Sequence, residues 1–303
     1  MDLGPPSRAD YERYRERGDM PPRRIPTVRQ RRLGSELRRL REAVGVTTHE
    51  AATLLGVNRT RIPNIESGRF GLSADRVRAL ASNYGCQDAV LIDALANMAA
   101  DRGPRWWDSY RGVLPTSFQD VAEFEHHAVA MRIFVMVHIP GLLQTAAHAR
   151  AVFEASLVAL PAKEIELRAT HRMRRQEIFT LRESPPPFTA IVHEAALRMQ
   201  FGGPEVGRAQ LAHLLDASER GNITLRALPF SAGGFAGPGQ PICYAHGPVA
   251  QLDTVQLDTF HGALFLDSQE DLGSYKRLLD RMEEAALSPG ATRDLIHSIA
   301  KQL

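Results

Sequence analysis

The sequence predicts a multi-domain chain: an all-α head of five short helices followed by an α/β (α+β) effector region. Three observations carry this. Apolar residues recur at helical spacing, with capping residues, up to about residue 102. Beyond the breakers Gly103 and Pro104, helical stretches alternate with short strand-like runs. At 303 residues the chain is also long enough for a second core behind a small head. The expected divisions are a flexible basic arm at 1–31, the five-helix unit at 32–102 and the α/β effector and dimerisation region at 103–303.

Leu33, Leu37, Leu40 and Val44 give a first helix from about residue 32 to 43. Thr47 and Glu50 have the spacing of a capping box, in which each side chain bonds the other residue's amide at a helix start. Ala51, Ala52, Leu54 and Leu55 supply the buried stripe of a helix barely two turns long, and Gly56 suits a left-handed C-terminal position. Asn58 is a candidate N-cap for the third helix, whose Ile62 and Ile65 point inward. Arg59, Thr60, Arg61 and Asn64 leave its other faces. Val77, Leu80, Ala81 and Tyr84 mark a fourth helix opening at Ser73 and closing at Gly85. Val90, Leu91, Leu95 and Met98 mark a fifth, from about 88 to 101. Two helices joined through a glycine turn match the unit whose second helix enters the DNA major groove. An αα-hairpin with a solvated polar face shares the local pattern, but the pattern continues on both sides.

With these elements the head resembles the phage-repressor-like (xenobiotic-response-element) helix-turn-helix family. The match is carried by Leu37, Arg41, Gly45, Thr47, Ala52, Leu55, Gly56, Val57, Ile62, Ile65, Glu66, Gly68 and Arg69, with IxxIExG at 62–68 its most specific string. The resemblance implies that Arg59, Thr60 and Asn64 read base edges, and that Thr48, Asn58 and Arg69 hold phosphates; Arg61 joins the backbone set. Arginine can pair bidentately with guanine and asparagine with adenine. Two departures stand out. Thr48 replaces the family's usual Gln, which shortens or loses that phosphate contact. Pro63 lies inside the recognition helix, where it removes an amide and either tightens or kinks the first turn.

Charge follows the same division. Residues 1–85 hold 17 Arg against 10 Asp plus Glu, a net +7, leaving −5 for the rest of a chain whose total is +2. A basic front suits phosphate. The first 31 residues contain eight Arg and five Pro and read either as an arm that tracks DNA or as a tail without a role. Arg outnumbers Lys 34 to 3, a bias expected of a GC-rich, actinobacterial genome. Neither a signal peptide nor an apolar run of spanning length is evident, so a soluble cytoplasmic protein with no membrane partner is expected. Cys86 and Cys243 fit neither a disulfide framework nor a metal motif; a redox pair is the remote alternative.

In the second region, residues 122–131, 145–157, 163–181, 205–220, 268–286 and 291–303 are expected to be helical. Residues 133–139, 188–193, 223–228, 242–245, 255–258 and 263–266 are expected to be extended. The stripe Leu295, Ile296, Ile299 and Leu303 reads as core rather than partner groove. Arg172, Arg174, Arg175 and Arg182, on one helix, read as facing DNA, an acidic partner or an anionic ligand, with a solvated face as the alternative. Behind such a head, PGLLQT at 140–145, HRMRRQEIF at 171–179, NITLRALPFSAGG at 222–234 and GALFLD at 262–267 resemble the effector region of actinobacterial antitoxin-like transcriptional regulators, often encoded beside a small partner protein. That family usually has Glu in the strand before GALFLD, where Asp258 stands here.

No nucleophile elbow, Walker loop or dinucleotide fingerprint occurs. The Gly-rich run at 233–241 lies between strands and reads as a loop or lid rather than a phosphate cradle. His126, His127, His138, His148 and His171 lack the spacing that sets ligands on one helical face, and His193-Glu194 lacks a second partner. The expectation is therefore a non-enzymatic, homodimeric DNA-binding regulator with no cofactor and no metal. Its C-terminal region would sense a small molecule or small protein. The alternative is an antitoxin-like neutraliser of a small cognate partner that binds DNA for autoregulation.

Overall fold

The computed structural model describes residues 25–101, 103–234, 237, 239–259 and 262–303. The arm expected at 1–31 therefore falls outside the described residues up to position 24, and positions 235, 236 and 238 of the Gly-rich run do as well.

The head comprises α1 (Val28–Ala43), α2 (Thr48–Leu55), α3 (Arg61–Glu66), α4 (Ala74–Asn83) and α5 (Ala89–Ala100). Helix α1 starts four residues before the expected 32, because Thr27 and Gln30 close a capping box ahead of the apolar stripe. Residues 28–31 are thus helical and not arm. Leu33, Leu37, Ala51, Ile62, Ile65, Val77, Leu80, Leu91 and Leu95 form the head's core. Val44, Leu54 and Val90, expected inside, are 50%, 48% and 66% exposed.

The second region is built on a six-stranded mixed sheet of order β3-β2-β1-β4-β5-β6. Its strands are β1 (Ala130–Val135), β2 (Phe188–His193), β3 (Ile223–Leu228), β4 (Ile242–His246), β5 (Thr254–Thr259) and β6 (Gly262–Leu266). The pairs β1–β2 and β2–β3 are parallel, while β4, β5 and β6 extend the sheet from β1 by antiparallel pairs. Side chains alternate between two cores, as the pleat requires. Ala190 and Val192 face the core shared with α10 (Gly203–Ala217) and α12 (Pro289–Gln302). Ile191 faces the core shared with α11 (Gln269–Ala285). Ile296 and Ile299 of the last helix are buried in the first of these, with Leu295 and Leu303 at its margin.

Several helical boundaries differ from expectation. Helix α6 spans Thr116–His127, not 122–131, and Met131 already lies on β1. Helix α7 is Ala146–Glu154. The basic helix α8 (Ala162–Arg175) stops short of the expected 181, and Gln176–Phe179 tightens into a 3-10 turn, so Arg182 is not on it. Each of the four arginines has its own partner within the protein. Arg175 pairs with Glu125 of α6, Arg172 donates to Gln144, Arg174 stacks over Trp106 and Arg182 donates to the His126 carbonyl. The short helix α9 is Glu194–Arg198. In PGLLQT, Leu142 and Leu143 are buried in a 3-10 turn, and Gln210 bonds the Leu143 carbonyl and the Thr145 amide.

The head and the sheet region interlock. Val28 at the start of α1 enters the sheet's core, and Leu252 from the β4–β5 connection enters the head's core. The free amides of Val28 and Arg29 donate to Asp120 Oδ1 (3.1 Å) and Glu123 Oε2 (3.0 Å) on α6. Carboxylates there satisfy orphan donors and complement the positive end of the helix dipole. Buried Arg32 donates to the carbonyls of Gln251 and Asp253.

Candidate nucleic-acid interface

The capping box of Thr47 and Glu50 forms, with the Thr47 amide 2.7 Å from Glu50 Oε2. The Thr47 amide and hydroxyl both donate to that carboxylate and hold the Glu50 carboxyl below its ordinary range. Helix α2 then ends on Gly56 at φ +62°, and the Val57 amide closes back onto the Ala52 carbonyl, a Schellman-type stop that fixes where α3 begins.

Helix α3 begins later than expected. Asn58 does not cap it directly; its Oδ1 accepts from the Thr60 amide (3.0 Å) and Thr60 Oγ1 (2.9 Å), and the helix opens at Arg61. The turn between them is tight: the Arg61 amide bonds the Asn58 carbonyl, and the Ile62 amide bonds the Arg59 carbonyl. Pro63 explains this. It is the third helical residue, where an amide would be unpaired anyway, and Ile62 has taken the carbonyl that a residue-63 amide would have used. The proline tightens the entry and leaves the rest of the helix regular.

The pose of α3 against α1 is fixed by close contact and charge. Arg41 of α1 grips Glu66 with Nε to Oε1 at 2.6 Å and Nη2 to Oε2 at 3.0 Å, while its Nη1 donates to the Val46 carbonyl. The Glu66 hydrogen bond raises the Arg41 pKa above its ordinary value. Tyr84 is pushed up to about 12 by burial and by the adjacent Glu66 charge. Gly34 lies so near that a Cβ there would sit 2.3 Å from the Glu66 carbonyl oxygen. Gly68, at φ +76°, lies against the backbone of Gln30 and Arg31. Sequence reasoning marked Arg41, Glu66 and Gly68 but missed Gly34, whose partner is some thirty residues away.

Arg59, Thr60, Arg61, Asn58 and Arg69 are exposed, and Thr48 and Asn64 are half-buried. The structure joins Asn58 to Thr60, and Thr60 to Asn64, whose Nδ2 donates to the Thr60 carbonyl at 2.8 Å. Arg61 lies over the Phe70 ring, 5.5 Å from its centroid. The side chains of Arg59 and Arg69 have neither a hydrogen bond nor an ion pair among the described residues. Thr48 stands at the first position of α2, and no contact ties it to the others.

Comparison with known families agrees with this geometry. A helix-turn-helix domain model matches residues 32–95, and a model described as a domain of unknown function (DUF5753) matches residues 118–298, more than half of the chain. The chain belongs to the DUF5753 family. In this DUF5753 protein the helix-turn-helix match spans α2 and α3, and a helix-turn-helix domain is a DNA-binding, non-catalytic module. No curated protein and no solved structure matches the chain. Among the described residues no helix is long and apolar enough to cross a membrane.

Proposed function

We propose that the protein is a sequence-specific transcriptional regulator of the phage-repressor-like type, encoded in an actinobacterial genome and working in the cytoplasm as a homodimer. Its two heads would read half-sites about one helical turn apart. The observation that carries this reading is Arg59, an exposed guanidinium with no partner among the described residues, at the entry of a helix held by Arg41, Glu66 and Gly34. Arg59, Thr60 and Asn64 take the base-reading roles, and Thr48, Asn58, Arg61 and Arg69 take the phosphate roles. Asn64 has one of its two amide N–H donors on the Thr60 carbonyl, which leaves the other and Oδ1 for adenine, whereas all the Arg59 donors are open among the described residues.

The effector region would respond to a small molecule. A cavity of about 220 Å³ beside PGLLQT supports a small ligand over a protein partner. A ligand shifts DNA affinity only through unequal binding to two states of the protein. The interlocked joint at Val28, Arg32 and Leu252 offers a place where those states could differ.

The test is Arg59→Ala on a selected duplex. Binding should weaken by about 1–3 kcal/mol, with relaxed preference at one base position. An equal loss on every sequence would make Arg59 a phosphate contact instead.

A further inference from the structure

The cavity beside PGLLQT has walls from the 3-10 turn of Gly141–Leu143, the turn after α8, the last turns of α10 and the start of β3. Its floor is apolar: Leu142, Leu143, Phe179 and Ile223 are all buried side chains. At about 220 Å³ it exceeds the ~150 Å³ apolar cavity that admits benzene, yet it is too small for a nucleotide or a disaccharide.

The mouth differs in character. Thr180, His213 and Arg220 stand there. Neither the Arg220 guanidinium nor the His213 ring has a hydrogen bond or ion pair among the described residues. The one carboxylate in the lining, Glu177, lies 3.8 Å from Arg174 Nε, so it is already engaged with a cation. A half-open cavity with an apolar floor, under a guanidinium unpaired among the described residues, fits a ligand with an apolar body and a single carboxylate, which the arginine fork takes through two parallel N–H bonds.

We propose that this cavity is the effector site and that it takes a small apolar monocarboxylate, with the hydrocarbon on Leu142, Leu143, Phe179 and Ile223 and the carboxylate on Arg220 and His213. The assignment rests on the reading of the chain as a ligand-responsive DNA-binding regulator. Gln176 gives the site its leverage. It lines the cavity, and its Nε2 donates to the Gln144 carbonyl at 2.7 Å. One residue earlier, Arg175 grips Glu125 on α6, the helix whose Asp120 and Glu123 hold the start of α1. An occupant that displaces the turn at Gln176 thus acts on an element bonded to the head.

The experiment is calorimetric titration of the full chain with octanoate and with phenylacetate, alongside duplex binding by the same preparation. At least one acid should bind saturably at one site per chain. Arg220→Glu, an exposed change that leaves the core intact, should weaken it by about tenfold or more, and methyl octanoate should bind weaker than octanoate by a similar factor. Ala217→Phe, which fills the cavity from α10, should abolish binding. No saturable binding of either acid would overturn the site, as would an affinity indifferent to Arg220→Glu. Duplex binding without acid binding would remove this assignment and leave the regulator reading. Acid binding without duplex binding would do the reverse.

Discussion

Arg41 and Glu66 show how single residues place the second helix of the helix-turn-helix. Both side chains are under 10% exposed, and their two-pronged contact joins the helix behind the unit to the end of the recognition helix. Removing one partner of such a buried pair strands the other charge, a loss of about 3–5 kcal/mol. Glu66→Ala should therefore lower stability by that order in urea unfolding, and a loss under 1 kcal/mol would mean that the pair is effectively solvated. At this scale the sequence was legible in its capping residues and in Gly56, whose roles follow from neighbours within four positions. It was less legible for Asn58, which folds back onto Thr60 because Pro63 shortens the first turn. It was silent on Gln210, whose bonds to the PGLLQT segment cross more than sixty residues.

Among the elements, α1 and α3 pack backbone to backbone because Gly34 has no side chain. Alanine there would gain about 1 kcal/mol of helix propensity. Its Cβ would meet the Glu66 carbonyl oxygen at 2.3 Å and the Ile65 carbonyl oxygen at 2.7 Å, contacts that no rotamer can relieve. Overpacking of about 1–3 kcal/mol should win, so Gly34→Ala is expected to lower Tm and weaken DNA binding together. A raised Tm would show that the two helices can separate without cost. Strands β2 and β3 coincide with their expected spans because alternation and bounding turns agree. Helix α6 did not: the apolar run from Ala128 to Met131 fits either period when read alone, and the β1–β4 pairing decides for a strand. The basic stretch after residue 163 divides at Gln176 because its side chain is drawn to the carbonyls of PGLLQT, a contact with no local trace.

For the whole molecule, the exchange of Val28 and Leu252 between the two cores makes the head and the sheet region mechanically dependent. The interior also sets an acid limit. His171, boxed by Trp106, Tyr110 and Phe118, is fully buried, and burial with nearby arginines pushes it down to about 3; burial pushes His148 down to about 4. An unfolded chain takes these protons near 6.5. The stabilisation from keeping the rings neutral is complete above that pH and is lost progressively as pH falls from about 6.5 toward 4. His171→Leu should remove one proton's share of that decline, about 1.4 kcal/mol per pH unit, in urea unfolding followed across the window. An unchanged pH slope would mean that the ring titrates alike in both states.

The central claim is that this head reads a DNA sequence through the entry of α3. Selection of bound duplexes from a random library by the full chain tests it most directly. One enriched motif is expected, arranged as two half-sites about 10 base pairs apart, that loses its preference at one position per half-site with Arg59→Ala. A pool that stays random while binding remains strong at low salt would contradict it, leaving a basic surface that holds phosphate without reading bases.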